Sequence, residues 1–124
     1  MIIYQSRIYR IDLEKNPSLT YVFGDNVQRI GMGGQAREMR GEPNAVGVAT
    51  KWSSYEFFDV ARTVEQNAII DADMAPLFRI TKGGGTIVLP TDGLGTGLAE
   101  LQTRAPATFD HLLRRMVELA ESAA

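Results

Sequence analysis

Eleven of the twelve glycines fall in two clusters, Gly24 to Gly41 and Gly83 to Gly97, and only Gly47 stands apart. The first cluster begins where the β-branched and aromatic run Leu19–Phe23 ends. In the second, Gly93, Gly95 and Gly97 follow the apolar run Thr86–Pro90. Glycine concentrated at the ends of strand-like runs implies two special loops on an otherwise regular scaffold. The alternative is that both loops merely make tight turns.

Strand-like runs alternate with helical spacing along the chain. Met1–Ile11 alternates loosely through Ile3, Tyr4, Ile8, Tyr9 and Ile11, as one or two strands near a sheet edge do. Asp12–Ser18, with Asn16-Pro17, reads as a connection. Leu19–Phe23 suits a buried strand ending at Gly24, Gln35–Arg40 a short helix stopped by Gly41, and Ala45–Thr50 a strand running into Lys51. Ser53 or Ser54 suits a helix cap with Glu56 in the first turn. Phe58, Ala61, Val64, Ala68 and Ala72 follow at helical spacing, with Pro76 near the exit. Thr86–Pro90 is apolar throughout, as a sheet interior is. Pro106 opens a last helix with the stripe Phe109, Leu112, Leu113, Met116, Val117 and Ala120, and Ser122–Ala124 frays. Such alternation predicts an α/β domain of three layers.

Composition removes several chemistries. A chain of 124 residues suits one domain with a real core, burying roughly two-thirds of its surface. With no cysteine there is no disulfide, thiolate metal site or cysteine nucleophile. One histidine, His111, argues against a His-built metal site or a Ser-His-Asp triad, and it reads as a surface or boundary residue. A net charge of −2 supplies no global field for gathering polyanions. No apolar run spans a bilayer and the N-terminus lacks a secretory pattern, so the expectation is a soluble, cytoplasmic protein.

In an open α/β sheet ligands bind beyond the carboxyl ends of the strands, where both glycine loops fall. Glycine lets the backbone turn sharply and present N–H groups to an anion. Neither loop contains a Gly-Lys-Ser or Gly-Lys-Thr phosphate signature, and Gly93-Leu94-Gly95-Thr96-Gly97 is not a dinucleotide fingerprint. Lys51, beside Trp52 at a strand end, is a candidate nucleophile, with a solvated charge as the alternative. Asp12, Asp25, Asn26 and Asp92 stand at strand ends or loop starts, where they orient a ribose or base or simply make turns. Arg37 and Arg40, three apart on a short helix, read as a solvated face, and Glu42-Pro43-Asn44 as a turn.

The order of these pieces resembles the macro domain, the fold that binds ADP-ribose. The similarity is closest to the branch with the terminal ADP-ribose protein glycohydrolase and the DNA ADP-ribosyl glycohydrolase antitoxins. It is carried by Ile11-Asp12-Leu13, Leu19–Asn26, Met32-Gly33-Gly34-Gln35-Ala36, Val48-Ala49-Thr50-Lys51 and Leu89-Pro90-Thr91-Asp92-Gly93-Leu94-Gly95-Thr96-Gly97-Leu98. The resemblance implies a single macro-like α-β-α domain over residues 1–124, with a mixed central sheet and no cofactor or metal.

It also implies roles. Asp12 would contact the adenine and Asn26, with Asp25 beside it, the distal ribose region. Gly33 and Gly34 on one side, and the loop Gly93, Leu94, Gly95, Thr96 and Gly97 on the other, would wrap the pyrophosphate, with Gly31, Met32 and Gln35 also among the ligand-binding residues. Lys51 would attack the anomeric carbon, helped by an aspartate after the second loop. Here Ala99 and then Glu100 follow Gly97-Leu98, so Glu100 serves only with a one-residue shift, and Asp92 is the other candidate acid. The expected function is binding of ADP-ribose or a related nucleotide, with hydrolysis of ADP-ribosyl groups from a modified protein or DNA. A non-catalytic nucleotide-metabolite sensor or a protein-interaction module is the alternative.

Overall fold

The computed structural model describes residues 1–97 and 99–123, and within them each apolar run becomes a strand. The elements are β1 (Ile2–Gln5), α1 (Arg10–Lys15), β2 (Thr20–Asn26), α2 (Ala36–Met39), β3 (Ala45–Lys51), α3 (Thr63–Lys82), β4 (Ile87–Pro90), α4 (Leu101–Arg104) and α5 (Pro106–Ser122). The sheet has the order β1-β4-β2-β3, and all three pairings are parallel. The expected mixed sheet is therefore corrected. Each strand returns to the sheet through a helix, and a helical crossover brings the next strand back in the same direction. An antiparallel contact occurs only as the isolated bridge Lys51–Phe57 among the described residues.

Alternate residues of the strands feed two clusters. Tyr21, Phe23 and Val88 join Ile8, Leu13, Ala36 and Met39, so α1 and α2 cover one face. Val22, Val48, Ile87 and Leu89 join Ile70, Met74 and Leu77 of α3 and Phe109, Leu112 and Leu119 of α5. The period of two in a strand is what sends neighbours to opposite faces. Each fully buried Leu, Ile or Met contributes about 1.5–3 kcal/mol relative to exposure.

Several element boundaries differ from expectation. The segment 12–18 is not all connection, because α1 starts at Arg10, where the Tyr9 N–H donates to Asp12 Oδ2 at 2.8 Å. β2 runs through Gly24 to Asn26. α3 begins at Thr63, not near Ser53. Ser53 Oγ does accept N–H groups, from Tyr55 at 3.2 Å and Glu56 at 3.0 Å, but it closes a turn. Asp59 Oδ1 makes a second turn by accepting from Ala61 and Arg62, each at 3.0 Å.

The buried face of α3 is Gln66, Ile70, Met74, Leu77 and Thr81, and Pro76 lies inside the helix. The stripe expected through Ala61, Val64, Ala68 and Ala72 faces outward, with Val64 84% exposed. Large side chains fill the core and the small alanines do not compete for it. In α5, Phe109 and Leu112 are buried as expected, whereas Leu113 and Val117 are exposed and Leu119 replaces them. α3 and α5 run side by side in parallel, joined by Gln66 Nε2 to Thr108 Oγ1 at 3.0 Å, His111 Nε2 and Asp71 Oδ1 at 2.7 Å, and the Thr81 and Ser122 hydroxyls at 2.6 Å. Ser122 thus belongs to the helix, and Ala124 lies outside the described residues. Among the described residues no helix is long and apolar enough to cross a membrane.

Candidate functional site

Because the four strands run the same way, β2, β3 and β4 bring their carboxyl ends to one rim. The segment after β2 and the segment after β4 leave the sheet there and enclose a cleft of about 720 Å³. That volume lies within the range of small-molecule sites. From β2 the wall takes Gly24, Asp25 and Asn26; from the first loop Gly31, Gly33, Gly34 and Gln35; from β3 Thr50 and Lys51. Asp92, Gly93, Leu94, Gly95, Thr96 and Gly97 close the opposite side. Seven glycines, Gly24, Gly31, Gly33, Gly34, Gly93, Gly95 and Gly97, thus line one space, whereas Gly83–Gly85 lie before β4, away from its carboxyl end, and with Gly41 take no part in it.

The β2–β3 register shifts between Asp25 and Asn26, and both side chains are nearly buried there. The Asp25 carboxylate turns over Gly47, and a buried charge of this kind needs partners. Arg40 supplies them, with Nη2 2.5 Å from Oδ1 and Nη1 3.3 Å from Oδ2. The Asn26 N–H donates to Oδ1 at 2.8 Å, and Arg29 Nη1 lies 3.7 Å from Oδ2. Arg29 Nη2 reaches Asp73 Oδ1 at 2.6 Å, and Asp73 Oδ2 accepts the Ala49 N–H at 2.8 Å on the β3 edge.

Arg40 is therefore not part of a solvated face. Its Nε donates to the Gly31 carbonyl at 2.8 Å and its Nη2 to the Ile30 carbonyl at 3.4 Å, while its guanidinium lies 5.5 Å from the Phe23 ring centre. Asn26 Nδ2 donates to the same Ile30 carbonyl at 2.7 Å. A carbonyl only accepts, so this bond fixes which end of the amide faces the loop. Asn26 lines the cleft, and its Oδ1 is left buried with no partner among the described residues. Gln35 lines it as well, and its Oε1 is likewise buried and unpartnered among the described residues.

Loop two is held from below. The Leu101 N–H donates to the Gly95 carbonyl at 2.9 Å, and Thr96 Oγ1 to the Asp92 carbonyl at 2.9 Å. Gly95 has φ +76°, and a Cβ there would stand 2.9 Å from Leu101 Cδ2. Among the described residues no protein acceptor takes the backbone N–H of Gly33, Gly34, Gly95 or Thr96. Both loops therefore retain amide donors for an anion.

Lys51 lines the cleft, with Nζ donating to the Ser54 carbonyl at 2.9 Å and lying 4.7 Å from the Phe57 ring centre. The Arg104 guanidinium stacks on the same ring at 3.6 Å. Asp92 is exposed on the wall, with no ion-pair partner among the described residues. Among the described residues no cluster of His, Asp and Glu side chains is placed to hold a metal.

Three expected site residues are not on the wall. Asp12 is engaged at the start of α1, accepting from the Tyr9 N–H and, at 3.0 Å, from Gln5 Nε2. Met32 points to solvent, 54% exposed. Glu100 sits outside with φ +46° and pairs with Arg104 at 2.8 Å. Its carboxylate is engaged with Arg104 of α4 and does not line the cleft. Leu98, the last residue of the quoted motif, lies outside the described residues. Ser6, Thr50, Ser54 and Arg40 line the cleft without having been expected there. Their contribution comes from tertiary contacts, which no local pattern announces.

The profile of a family of unknown function (DUF7831) matches residues 3–115, and the chain belongs to that family. No curated protein and no solved structure matches the chain.

Proposed function

We propose that this cleft binds ADP-ribose or a closely related nucleotide in a macro-like α-β-α domain. The observation that carries this is the convergence of both glycine loops, with free amide donors, on one space at the carboxyl rim of a parallel sheet. A diphosphate between the loops would accept from Gly33 and Gly34 on one side and from Gly95 and Thr96 on the other. Asn26 Oδ1, buried and without a donor among the described residues, would accept from a ribose hydroxyl once ligand entry uncovers it. Lys51 adds a positive charge on the same wall, whereas the charge of Arg40 is already met by Asp25.

Hydrolysis of an ADP-ribosyl group is the further step of this proposal. Lys51, now donating to Ser54, would give one proton to the Asp92 carboxylate on the cleft wall and attack the anomeric carbon. The bond from that carbon to the modified protein or DNA would break, its electron pair leaving on the protein or DNA group, which takes the proton from Asp92. Water would then release ADP-ribose from Lys51. The position of Glu100, outside the cleft and held by Arg104, favours a second reading, a non-catalytic sensor of a nucleotide metabolite. Turnover assays on ADP-ribosylated protein and DNA separate the two.

An amide-resolved NMR titration with ADP-ribose tests the site itself. The expected result is that the largest shifts fall on Asn26, Gly33, Gly34, Gly95 and Thr96. Shifts confined to other surfaces would overturn the assignment.

A further inference from the structure

We propose that Arg40 is a positioning residue for the cleft, holding the Ile30 and Gly31 carbonyls so that Asn26 keeps its amide nitrogen on the loop and its oxygen available to a ligand. Resting on the ADP-ribose reading above, this deepens it by naming what orients its ribose acceptor. Arg40 makes four donations at once: two to the Asp25 carboxylate, one to Gly31 and one to Ile30. Only a planar fork with several fixed donors does this, and a lysine in its place retains charge but not geometry.

Asp25 is the anchor and not a ligand contact. Its carboxylate is buried over Gly47, and both oxygens are occupied by Arg40, with the Asn26 N–H on one and Arg29 nearby. The Ile30 carbonyl is the point of transfer. It accepts from Asn26 Nδ2 at 2.7 Å and from Arg40 Nη2 at 3.4 Å. If the carbonyl moves, the Asn26 amide loses the bond that sets its orientation, and Oδ1 is no longer kept free for the ligand.

The first test is a set of ADP-ribose affinities for wild type, Arg40→Lys, Asn26→Ala, the double variant and Asp25→Asn. Losing one hydrogen bond to ligand in Asn26→Ala lowers affinity about tenfold. Arg40→Lys and Asp25→Asn lose a similar factor. Because Arg40 acts through Asn26, the double variant binds no more weakly than Asn26→Ala alone, a non-additivity that a merely structural ion pair does not produce. Wild-type affinity in Arg40→Lys, or losses that multiply in the double variant, would overturn the proposal. The second test is amide hydrogen exchange without ligand. Residues 27–34 exchange faster in Arg40→Lys and Asp25→Asn while the core of β2 and β4 does not change; unchanged exchange at 27–34 overturns the proposal. If wild type fails to bind ADP-ribose, the ligand assignment falls, and the exchange measurement alone decides the role of Arg40.

Discussion

Gly47 lies directly beneath the carboxylate of Asp25: a Cβ at position 47 would stand 2.5 Å from Asp25 Oδ2. The one glycine outside the two clusters is thus required by a charged side chain on the neighbouring strand. Without that space, Asp25 could not be buried against Arg40 and the β2 terminus could not hold its shape. Gly47→Ala forces the carboxylate aside, with an expected loss of about 1–3 kcal/mol by analogy with overpacked cores. Urea denaturation of the variant measures this, and an unchanged midpoint would contradict the role of Gly47.

Gly95 is constrained twice, by φ +76° and by Leu101 beneath it. A left-handed backbone costs a non-glycine residue about 1–2 kcal/mol before the contact with Leu101 is counted. Gly95→Ala therefore weakens ADP-ribose binding through loop two, and Gly95→Glu abolishes it. Calorimetry on both variants, with the thermal midpoint as control for folding, checks the order.

Lys51→Ala removes any turnover while leaving ligand affinity within a few-fold of wild type. Turnover equal to wild type excludes Lys51 as nucleophile.

Gln66 is buried, and its amide serves both the N–H and the carbonyl of Asp59, each at 2.9 Å, as well as Thr108 Oγ1. Gln66→Leu leaves these groups without partners, at about 1–3 kcal/mol for each that water cannot reach. The denaturant midpoint falls markedly, and ligand affinity of the folded protein does not change. A neutral effect on stability would show that Gln66 does not organise the α3–α5 contact.

Burial holds the Tyr21 hydroxyl above its ordinary value of 10.0, with the Asp12 charge adding to the shift and the hydrogen bond from Asn16 opposing it. A raised folded-state value means that folding favours the neutral phenol. Its contribution is complete below the unfolded value and is lost as pH rises through the folded one. Stability declines on the alkaline side, and Tyr21→Phe flattens that limb. Urea midpoints across the alkaline range decide it; parallel curves for the two proteins contradict the assignment.

The parts of the fold legible in the sequence are those where one residue type dominates a run. Val22, Phe23, Ile87, Val88 and Leu89 announce buried strands, and the glycines after them announce the loops. That the loops share a cleft follows once all strands run one way, a consequence of the helical crossovers that the mixed-sheet expectation missed. The start of α3 was hidden because Ser53 and Asp59 both carry cap chemistry and spend it on turns. Its buried face was hidden because alanines at helical spacing mimic an apolar stripe. Arg40 was invisible, since its partners Asp25, Ile30 and Gly31 lie on other elements. The place of Glu100 is not legible in the sequence, since the chain passes through a left-handed residue there before α4.

Isothermal calorimetry of the wild-type protein with ADP-ribose bears most directly on the central claim. One site of micromolar or tighter affinity, lost in Gly95→Glu, is the expected result. No detectable heat with ADP-ribose, ADP or NAD would contradict the assignment of the cleft as a nucleotide diphosphate site.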